Sequence, residues 1–397
     1  YLFDELRPTP ELSFALRELH CVAGINITAS HNPKQYNGYK AYWEDGAQLP
    51  PEHADVVSAT MQKLDIFEDV KLADFDEALA AGKIIMLGRD MDEKYLACVQ
   101  AQAVNPEAVR AVADELKIVY SPLHGTGYRL VPEILRRLGH KNVFTVDEQM
   151  VISGDFPTVA KPNPEYKEVF DIGMKIADEV GSDLVVATDP DADRCGIMIK
   201  GEDGEYISLT GNQTGLLLTE YILEGKKALG TLPQDGFVVK SIVTTNIVKE
   251  ICAFYGVEMM DVLTGFKFIG DKIYQHELAG DREFVFGYEE SYGCLVADFV
   301  RDKDAVFSSM MICEMAAYQK AQGRTLLERL EELYQQYGYY KDVVDSFTLP
   351  GVDGQERIAD IMDSLRAADA SVFGGLTVAE RKDYAEGIDE LPKANVL

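Results

Sequence analysis

The chain reads as an α/β protein built from several domains, and three observations predict this. Short apolar runs such as Leu184-Val185-Val186-Ala187 and Phe237-Val238-Val239 alternate with stretches whose apolar residues recur at helical spacing. At 397 residues the chain exceeds what one core usually organises and suggests roughly two to four domains. Its composition, 47% hydrophobic and 26% charged, is that of a globular enzyme and not of a disordered or fibrous chain.

Charge and cysteine usage narrow the class. The net charge of −29, from 38 basic and 67 acidic residues, argues against binding nucleic acid or anionic membranes. The six cysteines (Cys21, Cys98, Cys195, Cys252, Cys294 and Cys313) form no C-x-x-C pair and point to free thiols in a reducing compartment. No apolar run approaches the roughly 20 residues that span a bilayer, and no signal peptide opens the chain, so a cytoplasmic location is expected.

Tyr1-Leu2-Phe3-Asp4 reads as the end of a strand. A helix over 9–19 follows, with Thr9 as capping residue, Pro10 at the first helical position and Glu11 as an early acid. An alternating segment carrying Ile25 and Ile27 then runs into Thr28-Ala29-Ser30-His31-Asn32-Pro33, and the chain returns through Tyr39-Lys40-Ala41-Tyr42-Trp43. Asn37-Gly38 marks the reversal between them. Paired as a hairpin, these runs bring the Ser30 hydroxyl near the Lys40 amine, an activation pattern for a nucleophile. The pair alone fits an ordinary loop serine and a solvated lysine equally well. An acidic helical stretch near 51–80 and a boundary at Asn105-Pro106 close this region.

From about 108 the pattern becomes strand (Leu116–Tyr120), turn (Ser121–Gly127), helix (Tyr128–Leu138) and strand (Asn142–Asp147). The Gly125-Thr126-Gly127 turn is read as a plain strand-to-helix turn and His124 as a local structural residue. Asn163-Pro164-Glu165 is expected to cap a helix carrying Tyr166, Val169, Phe170, Gly173, Ile176, Ala177 and Val180 on one face. The buried strand 184–187 then delivers Thr188-Asp189-Pro190-Asp191-Ala192-Asp193-Arg194-Cys195-Gly196. Three carboxylates at alternating positions can converge on one hard cation, and the end of a buried strand is where open α/β sheets place their sites. A solvated acidic turn is the plain alternative. An EF-hand starting at Asp189 would need Gly at its sixth position and Glu at its twelfth, where this chain has Arg194 and Lys200. A haloacid-dehalogenase loop would usually continue with Thr or Val where Asp193 stands.

Gly201-Glu202-Asp203-Gly204 reads as a hairpin turn and a second boundary. A strand over 237–243, a helix over 246–255 and a strand over 257–263 lead into Thr264-Gly265-Phe266-Lys267-Phe268-Ile269-Gly270. After a helix to about 278, Phe284-Val285-Phe286 ends in Gly287-Tyr288-Glu289-Glu290-Ser291-Tyr292-Gly293. Acid and hydroxyl side chains two apart suit vicinal sugar hydroxyls, though a plain polar loop would look the same. Asp298–Asp304 leads into a helix with Met310, Met311 and Met315, read as core. Beyond 339, Tyr340–Val344 and a helix around 355–367 begin a further domain, and Asn395-Val396-Leu397 reads as a strand start. The two strand–helix–strand units are not alike enough to call a repeat.

Thr28-Ala29-Ser30-His31-Asn32-Pro33 with Asn37-Gly38 and Lys40 resembles the phosphoserine loop of the α-D-phosphohexomutases. Asp189-Pro190-Asp191-Ala192-Asp193-Arg194 resembles that family's D-x-D-x-D-R metal loop, and Gly287–Gly293 its G-E-x-S sugar loop. The resemblance covers nearly the whole chain and implies several related α/β domains with mixed sheets around a central cleft. It implies a partial first domain over 1–107, a metal-loop domain over 108–204, a sugar-loop domain over 205–338 and the beginning of a fourth over 339–397. Because Arg7–Leu12 matches the interior of the first domain and no R-x-S-G-T-E-P loop is present, the chain is read as a fragment.

The resemblance also assigns roles. Ser30 carries the exchanged phosphoryl group, Lys40 serves as general base, and Arg194 faces the phosphate, with His31 beside the serine. Asp189, Asp191 and Asp193 hold Mg²⁺, completed by the phosphate on Ser30. Glu289 and Ser291 grip ring hydroxyls, with Thr264, Gly265 and Lys267 on the neighbouring sugar-facing loop. The implied reaction interconverts glucose 1-phosphate and glucose 6-phosphate through glucose 1,6-bisphosphate, by a monomer or homodimer. Alternatives on the same scaffold are a phosphomannomutase, a phosphopentomutase or a sugar-bisphosphate synthase. A non-catalytic sugar-phosphate-binding protein is the alternative from another class.

Overall fold

A computed structural model describes the chain except residues 202, 344–348, 350, 369–370, 389–390, 395 and 397. Glu202, Val344, Asn395 and Leu397, on which some sequence expectations fall, therefore lie outside the described residues. The chain forms two compact units, Tyr1–Tyr340 and Lys341–Leu397.

The larger unit begins with β1 (Leu2–Phe3), α1 (Thr9–Glu18) and an antiparallel hairpin of β2 (Ala23–Ile27) and β3 (Tyr39–Trp43). Next come α2 (Pro51–Met61), α3 (Phe75–Ala80), β4 (Met86–Leu87), which pairs in parallel with β1, α4 (Arg89–Gln100) and α5 (Pro106–Ala111). The acidic stretch 51–80 is thus two helices and not one. Asp65, whose carboxylate accepts from the amides of Phe67 and Glu68, closes a turn between them.

A five-stranded mixed sheet follows, built from β5 (Lys117–Ser121), β6 (Asn142–Thr145), β7 (Leu184–Thr188), β8 (Cys195–Lys200) and β9 (Tyr206–Leu209) in the order β6-β5-β7-β8-β9. The helices α6 (Gly127–Leu138) and α7 (Asp171–Val180) connect its parallel strands, while β8 and β9 run antiparallel. The helix expected from Asn163-Pro164-Glu165 starts later than the sequence suggested. Asn163 turns its side chain onto the amide of Glu165, and a short 3₁₀ turn over Lys167–Phe170 precedes α7.

The long α8 (Gly211–Leu229), opened by a Thr210–Gln213 capping box, leads to a four-stranded sheet. Its strands are β10 (Gly236–Ser241), β11 (Glu258–Val262), β12 (Glu283–Glu289) and β13 (Gly293–Val296), ordered β11-β10-β12-β13, with α9 (Ile247–Tyr255) and α10 (Phe266–Ala279) as crossovers. β12 runs further than the sequence suggested, because Glu289 pairs with Gly293 of β13, so Glu289 ends a strand and does not sit mid-loop. α11 (Ala305–Ala321) is almost wholly buried, and its neighbours include α4, α5, α6, α8 and β13. Met310, Met311 and Met315 are among its core residues, as expected. α12 (Leu326–Tyr337) closes the unit.

The smaller unit carries α13 (Val352–Ala367) and a two-stranded ladder of β14 (Val372–Phe373) and β15 (Leu376–Thr377). No helix among the described residues is long and apolar enough to cross a membrane.

Candidate active site

The three aspartates stand on the turn between β7 and β8 and are all buried. Ala192 adopts a left-handed conformation, φ 53°, which folds the turn back so that alternate carboxylates face one point. The amide of Ala305, the first residue of α11, donates to the Ala192 carbonyl at 3.1 Å and ties the turn to the buried helix. The Gly-Thr-Gly turn supports it from the other side. Thr126 donates through its amide to the Pro190 carbonyl at 2.7 Å, and a Cβ on Gly125 would stand 2.2 Å from the Pro190 Cα. The turn is therefore a brace, in keeping with the plain reading, and His124 is tied locally to Val151 and Thr158.

The β2–β3 hairpin brings the nucleophile candidate to this point. Ser30, itself left-handed at φ 51°, donates its hydroxyl to Asp189 Oδ2 at 2.9 Å across a sequence separation of 159 residues. His31 Nδ1 lies 3.1 Å from the same Oγ. Burial, then the charge of Arg194, lowers the His31 pKa to about 4. Lys40 stands opposite Asn26 in the hairpin register and reaches Asp191 Oδ2 at 2.8 Å and Asp193 Oδ2 at 3.1 Å. Among the described residues no hydrogen bond joins Ser30 to Lys40; the two meet across the aspartates. The alternation that marked β2 as a strand points outward, since Ile25 and Ile27 are exposed while Asn26 faces the site.

Each aspartate has a different environment. Asp189 Oδ1 accepts from the amides of Asp193 and Arg194, at 3.0 and 2.9 Å. Burial and the charges of Asp193 and Asp191 raise its pKa well above its ordinary value. Burial would also raise Asp193, but the Lys303 and Lys40 ammonium groups and Arg194 outweigh it and hold this carboxyl far below its ordinary value. Burial opposes the charge on Lys40, yet Asp193 and Asp191 keep it a firmly held ammonium ion. Asp191 Oδ1 and Asp193 Oδ1 are buried and accept no hydrogen bond. One carboxylate oxygen from each of the three aspartates lies within 4.8 Å of the others. Two orphaned anionic oxygens in an all-oxygen cluster are a fit for a hard divalent cation, which would satisfy both.

The loop read as sugar-facing touches the aspartate turn through its backbone. Tyr292, at φ 70°, turns the chain between β12 and β13, and its carbonyl accepts from the Cys195 amide at 3.1 Å, beside the aspartate turn. Glu289 is buried and accepts from the Gly265 amide at 2.7 Å, which joins the two loops read as sugar-facing. Burial raises its pKa, opposed by Lys303 and that amide. Ser291 is half-buried, Thr264 is exposed, and Lys267 rests its ammonium 5.2 Å from the Phe268 ring centroid, so these three are not brought onto the aspartates. Arg194 extends to Glu165 at 2.6 Å while its Nε lies 4.0 Å from Asp193.

Three residues that sequence reading did not place in the site belong to it. Lys303 reaches Asp193 Oδ2 at 3.0 Å from the residue pair preceding α11. Thr9 donates to Asp191 Oδ2 at 3.0 Å, and Asn26 donates to the Thr9 hydroxyl at 2.7 Å. Thr9 is not the cap of α1; Pro8 holds that position and the threonine hydroxyl is spent on Asp191. Only the charged run just before an apolar helix hinted at Lys303, and nothing in the linear pattern links Thr9 to a residue 182 positions away.

Comparison with known proteins gives a consistent result. The phosphoglucomutase/phosphomannomutase alpha/beta/alpha domains I, II and III match residues 1–66, 93–203 and 210–337. A phosphoglucomutase of Staphylococcus haemolyticus is 35% identical over 412 aligned positions, covering 100% of this chain and 72% of the relative. One from Staphylococcus aureus strain MRSA252 is 36% identical, covering 97% of this chain and 67% of that protein. A Thermus thermophilus protein assigned as a phosphomannomutase superposes with a TM-score of 0.68 at 24% identity, covering 88% of this chain and 72% of its own. The Paramecium phosphoglucomutase pp63/parafusin in an open form gives 0.62 at 19% identity, over 84% and 61% of the two chains; these two structures speak to the fold alone. With three successive domains matched in order, the chain belongs to the phosphoglucomutase/phosphomannomutase family of the α-D-phosphohexomutase superfamily.

Proposed function

We propose that the chain is a phosphoglucomutase that exchanges a phosphoryl group between Ser30 and glucose phosphates, with glucose 1,6-bisphosphate as intermediate. The observation that carries this reading is the 2.9 Å hydrogen bond by which Ser30 Oγ enters the aspartate cluster. Asp189, Asp191 and Asp193 would hold Mg²⁺, which when bound supplies charge neutralisation at the phosphoryl oxygens.

The chain's own residues account for the rest. In the forward half-reaction the bond between phosphorus and Ser30 Oγ breaks as one to the sugar 6-hydroxyl forms, and that hydroxyl loses its proton. In this reading Lys40, held as an ammonium ion by Asp193 and Asp191, gives its proton to the departing Ser30 Oγ and takes the one the 6-hydroxyl releases, so that the serine leaves as a hydroxyl and Lys40 ends as it began. Arg194 offers its guanidinium to phosphoryl oxygens, and His31 orients Ser30 Oγ. Glu289 and Ser291, with Thr264, Gly265 and Lys267, grip the sugar while the bisphosphate reorients. In the return half-reaction the bond between phosphorus and the sugar 1-oxygen breaks as one to Ser30 Oγ forms, and the serine proton passes to the departing 1-oxygen. Such catalysis relies on positioning and preorganised charge. The sugar phosphate is the partner this site accommodates; we assign the chain to the cytoplasm, as a monomer or homodimer.

The test is to incubate the protein with Mg²⁺ and radiolabelled glucose 1,6-bisphosphate and map the label. Label confined to Ser30 and chased off by glucose 1-phosphate supports the reading, and Ser30→Ala should lose at least about a thousandfold in rate. Label elsewhere, or an active Ser30→Ala protein, overturns it. Relative kcat/KM for glucose, mannose and ribose 1-phosphates assigns the sugar.

A further inference from the structure

We propose that Thr9, oriented by Asn26, is a positioning residue that sets the Asp191 carboxylate as a cation ligand. The proposal rests on the reading of Asp189, Asp191 and Asp193 as a metal site.

The hydrogen-bond chemistry leaves the Thr9 hydroxyl one role. Asn26 Nδ2 can only donate, and it lies 2.7 Å from Thr9 Oγ1. Asp191 Oδ2, as carboxylate, can only accept, and it lies 3.0 Å from the same Oγ1. A lone pair of the hydroxyl is therefore occupied by Asn26, and its single proton points at Asp191. The Thr9 amide adds a second bond, to the Asp191 carbonyl at 2.8 Å, so one residue holds both the backbone and the side chain of Asp191. Thr9 is fully buried, so no water competes for these bonds.

The consequence appears at the other carboxylate oxygen. Oδ2 of Asp191 takes both Thr9 and Lys40, whereas Oδ1 is buried and accepts nothing. With Oδ2 pinned, the carboxylate cannot rotate to turn Oδ1 onto a protein donor, and Oδ1 stays available to a cation. Asn26 faces Lys40 across the hairpin that carries Ser30. The relay therefore also links the strand under the nucleophile to the metal turn, from β2 through the first turn of α1.

Manganese titration of the full chain, followed by electron paramagnetic resonance, tests this without relying on turnover. Thr9→Val keeps the side-chain shape but has no hydroxyl, and it should weaken Mn²⁺ binding by about tenfold to a hundredfold. Thr9→Ser should restore it to within about threefold. Asn26→Leu should weaken binding in the same direction. The double variant should bind no more weakly than Thr9→Val alone, because Asn26 acts through the hydroxyl. Asn26→Asp provides a test of sign. By accepting the hydroxyl proton it turns Thr9 away from Asp191 and should weaken Mn²⁺ binding, whereas a simple added negative charge would tighten it.

Unchanged Mn²⁺ affinity in folded Thr9→Val, full additivity in the double variant, or tighter binding by Asn26→Asp would overturn the proposal. If Thr9→Val does not fold, the two Asn26 variants decide. Asp191→Asn separates this inference from the reading beneath it. Loss of binding there with Thr9→Val unaffected overturns only the relay; parental binding by Asp191→Asn overturns the metal site itself.

Discussion

At Glu11 a single carboxyl illustrates what burial costs. Its side chain is fully buried on α1, neither oxygen accepts a hydrogen bond, and Arg7 Nε stays 3.9 Å away while holding Asp92 at 2.6 Å. Burial, and then the Asp92 carboxylate, pushes the Glu11 pKa up to about 9 from 4.5. A folded-state value above the unfolded one means that stability is fully present below about pH 4.5 and is lost progressively as pH rises toward 9. Glu11→Gln mimics the protonated form, and its amide can donate to Asp92. It should raise stability by about 1–3 kcal/mol at pH 8.5 and change it little at pH 4.5. Melting curves at the two pH values check this, and equal shifts at both would contradict it. None of this was legible in the sequence, where Glu11 read only as an early helical acid; tertiary packing against α4 buries it.

Among the elements, strands and helices followed the linear pattern where the residues were apolar and periodic. β5, β7, β10 and α11 stand where their apolar runs placed them. The misses came where a polar side chain redirected the backbone, as Asn163 delayed α7 and Asp65 split the stretch 51–80. Packing between elements sets a further constraint. A Cβ on Gly215 of α8 would stand 2.0 Å from the ring of Tyr288, which is fully buried on β12 just before Glu289. Gly215→Ala should therefore destabilise the unit by about 2–3 kcal/mol through overpacking. By displacing the end of β12 it should also raise KM for the sugar phosphate. Chemical denaturation and steady-state kinetics on the same preparation test both halves. An unchanged midpoint would show that α8 yields without cost.

For the whole molecule, electrostatics is governed by the net charge of −29. Such self-repulsion disfavours the compact state and also opposes the approach of an anionic sugar phosphate. Salt screens both, with a Debye length falling from about 30 Å at 0.01 M to about 8 Å at 0.15 M. The melting temperature should therefore rise by several degrees between these salt concentrations, and KM should fall over the same range. A flat response in both would mean that local pairs such as Lys40 and Lys303 against Asp193 already neutralise the field that matters.

Read alone, the amino-acid order determined the fold class and the three loops, because these depend on local periodicity and on residues adjacent in the chain. Ser30, the aspartate trio and Glu289 were candidates from their motifs, and the structure places Ser30 on Asp189 and Glu289 on Gly265. Tertiary structure alone decided which oxygens are free and which are spent. Lys303 and Thr9 reach the aspartates, and Asn26 reaches Thr9, only because β8, α11, α1 and the β2–β3 hairpin converge on one turn. A hydrogen bond takes its direction from the donors and acceptors present in space, and these came from residues that sequence spacing does not relate.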